Sequence, residues 1–308
     1  MPVYAGYVPS YVSREPYITV DEFLSSPTGT DTTQILPGGT PQQNRDALAG
    51  VIQRASNEAD VYCCGPTGCL AASIDVQTAP PQGWRVQTRG GLRQIWVPVD
   101  NTPVVAVTGV SLGWDPSSVT AVTDLTGVWP GQKVITIPIS GLTTTPAGTV
   151  AYPTAGAGSG RAWGAVEYVN GYANATLSVA AAAGATSITP TDVLALYPGL
   201  QLSIYDTTSG RSETVQVASS YTPGTASVTL AAALSYAHVA GTAVSALPPA
   251  VRQAVVSLTS ALIKRRGGES IVLAAIQEEP SRKTIGEPGM TADEEHAYRI
   301  LKPFRRVR

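Results

Sequence analysis

Three cysteines, two histidines and one run of carboxylates are the residues best equipped for chemistry. Their spacing fails most of the reactions they could serve. Cys63, Cys64 and Cys69 bracket a Gly65-Pro66 turn. Such a cluster could ligate a metal or close a disulfide across the turn. Zinc takes about four ligands, and the only histidines, His238 and His296, lie far off in the chain. Small buried side chains at a helix end are therefore the default expectation. His238 follows a strand-like run, and His296 falls on an expected helix beside Glu294 and Glu295. Neither has a Cys or Ser partner implied nearby, so a polar surface or capping role is expected for both. Asp293-Glu294-Glu295 could pass for paired acid–base carboxylates, but in the first turn of a helix the macrodipole accounts for them. Gly156-Ala-Gly-Ser-Gly160 lacks the spacing of a dinucleotide fingerprint, and neither a Walker loop nor a Gly-x-Ser-x-Gly elbow is present. Asn174-Ala-Thr176 matches a glycosylation acceptor, which carries no weight without a secretory signal. The expectation is a protein that is not an enzyme and takes no cofactor or metal.

Composition narrows the class. Of the 308 residues, 43% are hydrophobic and only 14% charged, with 30 glycines and 24 prolines. Charge at about half the usual share, with many Thr, Ser and Val, reads as short strands joined by turns. A net charge of −2 gives no global basic footprint for nucleic acid. The basic residues are uneven, however, with 10 of the 20 lysines and arginines falling in 264–308. No apolar run approaches the roughly 18–20 residues of a membrane span. The first residues, MPVYAGYVPSYVSREPYITV, lack a basic start and an apolar core, so no secretory signal is expected. Few cysteines and no secretion fit synthesis in a reducing compartment.

The elements that must position these residues begin with the clearest helix, Leu247 to Gly267. Pro248 and Pro249 suit its first turn. Val251, Val255, Leu258 and Leu262 follow at spacings of four, three and four. Val256 and Ile263 widen the face, so two neighbours are expected, as core or as a subunit interface. Lys264, Arg265 and Arg266 favour its C-terminus, and Gly267-Gly268 stops it. Upstream, Met1 to Tyr17 holds four tyrosines and three prolines without helical period and reads as an extended arm, frayed or lying on a neighbouring subunit. Thr19-Val-Asp-Glu22 reads as a capping box, and Thr40-Pro41 opens a second helix faced by Leu48, Val51, Ile52, Ala55, Ala59 and Tyr62.

Between the helices lies β pattern. Candidate strands are Ile74–Val76, Trp84–Val86, Gln94–Val97, Val104–Val107, Val134–Ile137 and Gly164–Val169, with turns at Gly90-Gly91 and Asn170-Gly171 and a loop at Thr154–Gly160. Residues 173–246 read as a separate module of six short strands. Thr123-Asp124 and Trp129-Pro130-Gly131 recur there as Thr191-Asp192 and Tyr197-Pro198-Gly199 at the same offset, either a duplicated hairpin or two similar turns. A short helix at Glu269–Gln277, a loop at Ser281–Gly289 and a helix capped by Thr291 complete the chain, with a basic tail after Pro303. The expected fold class is α+β: a helical base from N- and C-terminal helices, with a β-rich, barrel- or sandwich-like body inserted between them. The expected divisions are an arm (1–18), N-terminal helices (19–72), a β-rich domain (73–172), a β-module (173–246) and C-terminal helices with the tail (247–308).

The order of these parts resembles the head-to-tail adaptors, or head-completion connectors, of long-tailed bacteriophages. The matching pieces are YITVDEFL, TPQQNRDALAGVIQRASNEADVYC, VPVDNTPVVAVTGVSLG, WGAVEYVNGY, and LPPAVRQAVVSLTSALIKRRGGES leading to YRILKPFRR. In the simpler family pattern a V-Y-x-x-G-Y strand passes straight to P-x-x-V-R-Q-A. Here Tyr168-Val-Asn-Gly-Tyr172 and Pro249-Ala-Val-Arg-Gln-Ala254 supply those ends, and 173–246 stands between them as an insertion. The resemblance implies a homo-oligomeric ring of about twelve subunits in the neck of a virion, closed by heterologous contacts. The ring would assemble in the host cytoplasm beneath a portal, pass DNA through its lumen without holding it, and receive a tail or stopper protein. The basic tail, Phe304, Arg305, Arg306 and Arg308, is either solvated or meets a partner, and of DNA phosphate and portal carboxylates the second is favoured, held by arginine pairs with Phe304 as anchor. The rival reading is a virion surface or adhesion protein whose β-modules bind carbohydrate. It draws on the module and five tryptophans, but Trp84, Trp96, Trp114, Trp129 and Trp163 all precede that module.

Overall fold

A computed structural model describes residues 15–33, 35–65, 68–89, 92–131, 133–139, 160–206, 209–266 and 291–306. The expected helix at 269–277, the loops at 281–289 and 154–159, the Gly90-Gly91 turn, most of the expected arm and Arg308 lie outside those residues. The chain is mixed α and β, with a β-rich body and flanking helices.

The helices are α1 (Val20–Ser25), α2 (Pro41–Cys64), α3 (Pro249–Arg266) and α4 (Ala292–Leu301), followed by a 3-10 turn over Lys302–Phe304. Complete capping boxes start α2 at Thr40/Gln43 and α4 at Thr291/Glu294. At α1 only half of the expected box forms. Thr19 accepts from the Glu22 N–H at 3.1 Å, but the Glu22 carboxylate is drawn instead to Arg252. Both α2 and α4 pack against α3. Leu48, Ile52 and Ala55 of α2, Val251, Val255, Val256 and Leu258 of α3, and Ala297, Tyr298 and Leu301 of α4 are buried in one core, while Leu262 and Ile263 lie half-buried at its edge. Tyr17 and Ile18, at the end of the expected arm, are buried there too.

The body is an antiparallel sheet whose spine is β8 (Arg161–Asn170). One side of β8 pairs β1 (Ser73–Thr78), from Ser73 opposite Asn170 to Thr78 opposite Ala165. The other side pairs β4 (Val104–Gly113), and its first residues pair β2 (Trp84–Arg89). The order continues through β3 (Leu92–Pro98), β7 (Val134–Pro138) and β6 (Trp129–Pro130), with β5 (Thr120–Ala121) beyond β4. Alternation sends Ile95, Val97, Ile135, Ile137, Val166 and Tyr168 into one core. Gly164 is required where β8 meets β4. Its φ is +153°, and a Cβ there would stand 1.8 Å from the Ser111 carbonyl oxygen. Strand β4 runs six residues beyond its expected end at Val107. Irregularities between Val104 and Ala106 and between Val107 and Gly109 break the alternation that would have shown its length.

The segment 173–246 contains β9 (Asn174–Thr176), β10 (Ser187–Ile188), β11 (Gln201–Tyr205), β12 (Glu213–Gln216), β13 (Val228–Thr229) and β14 (Ala243–Ser245). They form one sheet in the order β12-β11-β14-β9 and a small β10-β13 ladder. Asn174 pairs with Ser245, so the chain leaves β8 and returns to α3 through adjacent strands. The module's core, built on Leu202, Ile204, Val217 and Val228, also receives Val169, Ile74 and Ala106 of the body. Asp124 accepts from the Thr126 N–H at 2.9 Å and Asp192 from the Leu194 N–H at 2.8 Å. The recurring Thr-Asp turns thus share one local construction, an aspartate accepting from the amide two residues on.

Leu258 is fully buried at the centre of the helical core. Leu258→Ala should cost about 2–5 kcal/mol in urea denaturation followed by circular dichroism. A loss under about 0.5 kcal/mol, the level of an ordinary surface change, would remove α3 from the centre of the fold.

Candidate functional site

The C-terminal segment is built into a junction between the helices and the body. Pro303 turns the chain after α4. Phe304 is half-buried on the helical core, and the Arg305 guanidinium lies 5.4 Å from the Tyr62 ring centroid. The Arg306 N–H donates to the Cys63 carbonyl at 2.7 Å, which continues the chain beside the end of α2. Arg306 Nη1 donates to Asn101 Oδ1 at 2.8 Å and reaches Asn170 Oδ1 at 3.4 Å. Asn170, fully buried, passes its own Nδ2 to Asp75 Oδ2 at 2.7 Å, and Asn101 does the same. Two amides therefore stand between a carboxylate and a guanidinium, each oriented by the charge at either end. Beside them opens a cleft of about 340 Å³ lined in part by Leu70, Asp100, Pro103, Lys133, Tyr172 and the segment Pro303–Arg306.

Cys63, Cys64 and Cys69 are buried and form no disulfide, and burial makes the first two unreactive. Burial, with Asp60 adding to it, pushes the Cys63 thiol up to about 12 against the pull of Arg306 and Arg305. Burial raises Cys64 further still. Neither is a thiolate at neutral pH.

His238 is a second cluster, and it departs from the surface role expected of it. Its side chain is fully buried. Nδ1 lies 3.3 Å from Asp206 Oδ2 and Nε2 lies 2.8 Å from Glu213 Oε1. The two carboxylates follow β11 and start β12, so a hairpin clasps the ring. Glu213 also accepts the Ser235 and Tyr236 N–H groups at 2.9 and 3.2 Å. Burial alone would raise the Asp206 carboxyl, but hydrogen bonds from Ser209 and His238 outweigh it and hold it below its ordinary value. Glu213 behaves alike: burial raises it, and donors from Ser235, His238 and Tyr236 prevail. With both ring nitrogens engaged, His238 has none open to serve as a base. The cluster ties a loop to a hairpin. His296, by contrast, is exposed on α4.

The third arrangement is Arg252 of α3, which is 3% exposed. It meets Glu22 of α1 through Nη2 and through Nε at 3.1 Å, and stacks 3.7 Å from the Tyr205 ring centroid of β11. The carboxylate run on α4 also has partners beyond its own dipole. Asp293 meets Lys264 at 2.6 Å, buried Glu294 meets Arg265, and Glu295 meets Arg299 at 2.8 Å. Among the described residues no group of three His, Cys, Asp or Glu side chains could hold a metal ion, and no helix is long and apolar enough to cross a membrane.

Sequence reasoning missed the His238 cluster and the Arg252 ion pair. The one signal for the first was compositional. Residues 173–246 hold only Asp192, Asp206, Arg211, Glu213 and His238 as charged or basic side chains, and three of these converge.

Both clusters give measurable outcomes. A carboxylate depressed in the folded state stabilises above its unfolded value, near pH 4, and that stability is lost as pH falls through the folded value. Urea midpoints should therefore hold from about pH 7 to 5 and fall below about pH 4. His238→Ala should cost about 1–3 kcal/mol at neutral pH by removing a donor from each of two half-buried carboxylates, and should flatten the acid-side fall; an unchanged acid profile would contradict the assignment. Glu22→Gln, which strips the charge opposite buried Arg252, should cost about 3–5 kcal/mol in the same measurement, and a neutral result would mean that the pair does not organise α1 and α3.

No protein-family model and no curated protein sequence matches this chain.

Proposed function

We propose that this chain is a head-to-tail adaptor of a long-tailed bacteriophage: a structural, non-catalytic virion protein. In this reading it forms a ring of about twelve copies beneath the portal, passes DNA through the lumen, and joins the portal to a tail or stopper protein. The observation that carries the reading is where its resembling segments lie. YITVDEFL, the α2 segment, the α3 segment and YRILKPFRR run from residue 17 to residue 306, yet all contribute to one core. The segment that interrupts the family pattern enters and leaves through the paired strands β9 and β14. This is the arrangement expected of a helical base made from both ends of the chain, carrying a β-rich body and an insertion.

Three further features support the role. The paired charges at the end of α3 and start of α4 tie those two helices to each other, as a static structural part would need. A net charge of −2 suits a channel that must release DNA. Arg305 and Pro303 are exposed beside half-buried Phe304, which offers the C-terminal segment to a partner as part of a formed surface.

Mass photometry and negative-stain images of the purified full chain, alone and with portal protein, test the reading. Rings of about twelve copies, alone or on portal, are the expected result. A monomer under both conditions, with no portal bound, would overturn it.

A further inference from the structure

An arginine has five N–H donors in a planar fork. At Arg306 the Nη1 end is used by Asn101 and Asn170. The other edge, Nε and Nη2, is buried and has no hydrogen-bond partner. A charged group whose buried donors go unmatched is costly, and this one lies in the wall of a cleft. We propose that the Arg306 cleft is a docking site for a carboxylate, the Asp or Glu side chain of an acidic segment on a partner protein with an apolar residue beside the acid.

The geometry selects the ligand class. Nε and Nη2 present two parallel N–H groups, the edge that matches the two oxygens of a carboxylate; a lysine in the same place would offer a point charge only. The fork is also held in advance. Its backbone is tied to the Cys63 carbonyl, and its far end to two amides that are themselves tied to Asp75. Binding therefore demands little further ordering of Arg306.

Charge and surface select the partner. Lys133 and Arg305, both exposed, add positive charge at the cleft, while Asp100 in the same lining subtracts from it. With Arg306 the lining holds three cations against Asp100, and Asp75 behind the two amides offsets a second, so one positive charge is left over for a single carboxylate, while the row of charges on a phosphodiester backbone would exceed it. Leu70, Pro103, Tyr172 and Phe304 give the cleft an apolar wall, which a peptide side chain can cover and a nucleic-acid backbone cannot. Neither fork nitrogen is open to water in the free chain, so the acid must part the rim to reach it. Pro303 and Arg305, with Asp100 and Lys133, form the exposed part of that rim. The inference deepens the docking role proposed above and rests on it only for the partner's identity.

The test uses the full chain and a blocked Leu-Glu-Leu tripeptide, with Leu-Gln-Leu and inorganic phosphate as comparisons. Broadening of the peptide's own proton resonances reads binding at any oligomer size. The Glu peptide should bind at least about tenfold more tightly than the Gln peptide, a difference of about 1.4 kcal/mol. Arg306→Lys should lose that preference, Lys133→Gln should weaken it, and phosphate should compete poorly. Equal binding of the two peptides, an indifferent Arg306→Lys, or phosphate competing as well as carboxylate would each overturn the proposal. A crystal structure of the unaltered chain with the Glu peptide guards against a variant that fails to fold: two carboxylate oxygens on Nε and Nη2 support the site, and ordered water alone there refutes it. Ring formation is unaffected by the loss of this site, and probe binding is unaffected by the absence of rings, so the two readings fail separately.

Discussion

A buried guanidinium needs a counter-charge, and Arg252, although its Nη1 has no hydrogen-bond partner, is the one on which this arrangement turns. With 3% of its surface exposed, it cannot rely on water. Its carboxylate comes from Glu22 and its aromatic face from Tyr205. Removing one member of such a pair costs about 3–5 kcal/mol, because the survivor is left charged and buried. That is a large part of a typical folding free energy of about 5–15 kcal/mol. One side chain thus fixes α1, α3 and β11 relative to one another, across residues 22, 205 and 252. The half-formed cap of α1 follows directly, since the Glu22 that would have closed the box is committed elsewhere.

The same rule governs the other seams. Where α3 ends near α4, Arg265 meets Glu294, which is 1% exposed on its side chain, while Lys264 meets Asp293 with 49% and 34% exposed. The first pair is shielded and orients two helices; the second is a surface pair, worth about 0–1 kcal/mol. Where the helices meet the body, Arg306 is held by Asn101 and Asn170, and through them faces Asp75. The three apolar cores are built from local periodicity. The polar side chains between them fix how the parts join.

That division explains what could be read from the sequence. The α3 stripe is visible because a helix repeats its buried face every three or four residues, and the six module strands because β-branched runs alternate with turn residues. Strands β5 and β6, each of two residues, are too short to show alternation. His238 could not be placed because Asp206 and Glu213 lie 32 and 25 residues before it, with no periodic relation to it. Arg252 follows Val251 of the α3 stripe, and nothing in its spacing marks a partner. Its partner is 230 residues away, and the motif holding that partner, Thr19-x-x-Glu22, already had a sufficient local explanation. The resemblance to phage adaptors was carried by soft patterns, so it bears on the order of parts and not on which residues pair.

Scarcity of charge gives these pairs their weight. Only 14% of the residues are charged, and short Thr-, Ser- and Ala-rich strands accept many registers at similar energy, because shifted neighbours bury much the same atoms. Desolvation consumes most of what a buried ion pair contributes, so His238 between two carboxylates, or Arg252 on Glu22, adds little to net stability over an apolar replacement. The effect on alternatives is different. A β11–β12 hairpin slipped by one residue would separate Asp206 and Glu213 from the ring and leave buried His238 without its partners, at about 1–3 kcal/mol. A misplaced module would strip Tyr205 from Arg252. The pairs therefore raise the energy of the wrong arrangements more than they lower that of the right one, and a chain this poor in charge can place them only where the apolar pattern leaves the choice open.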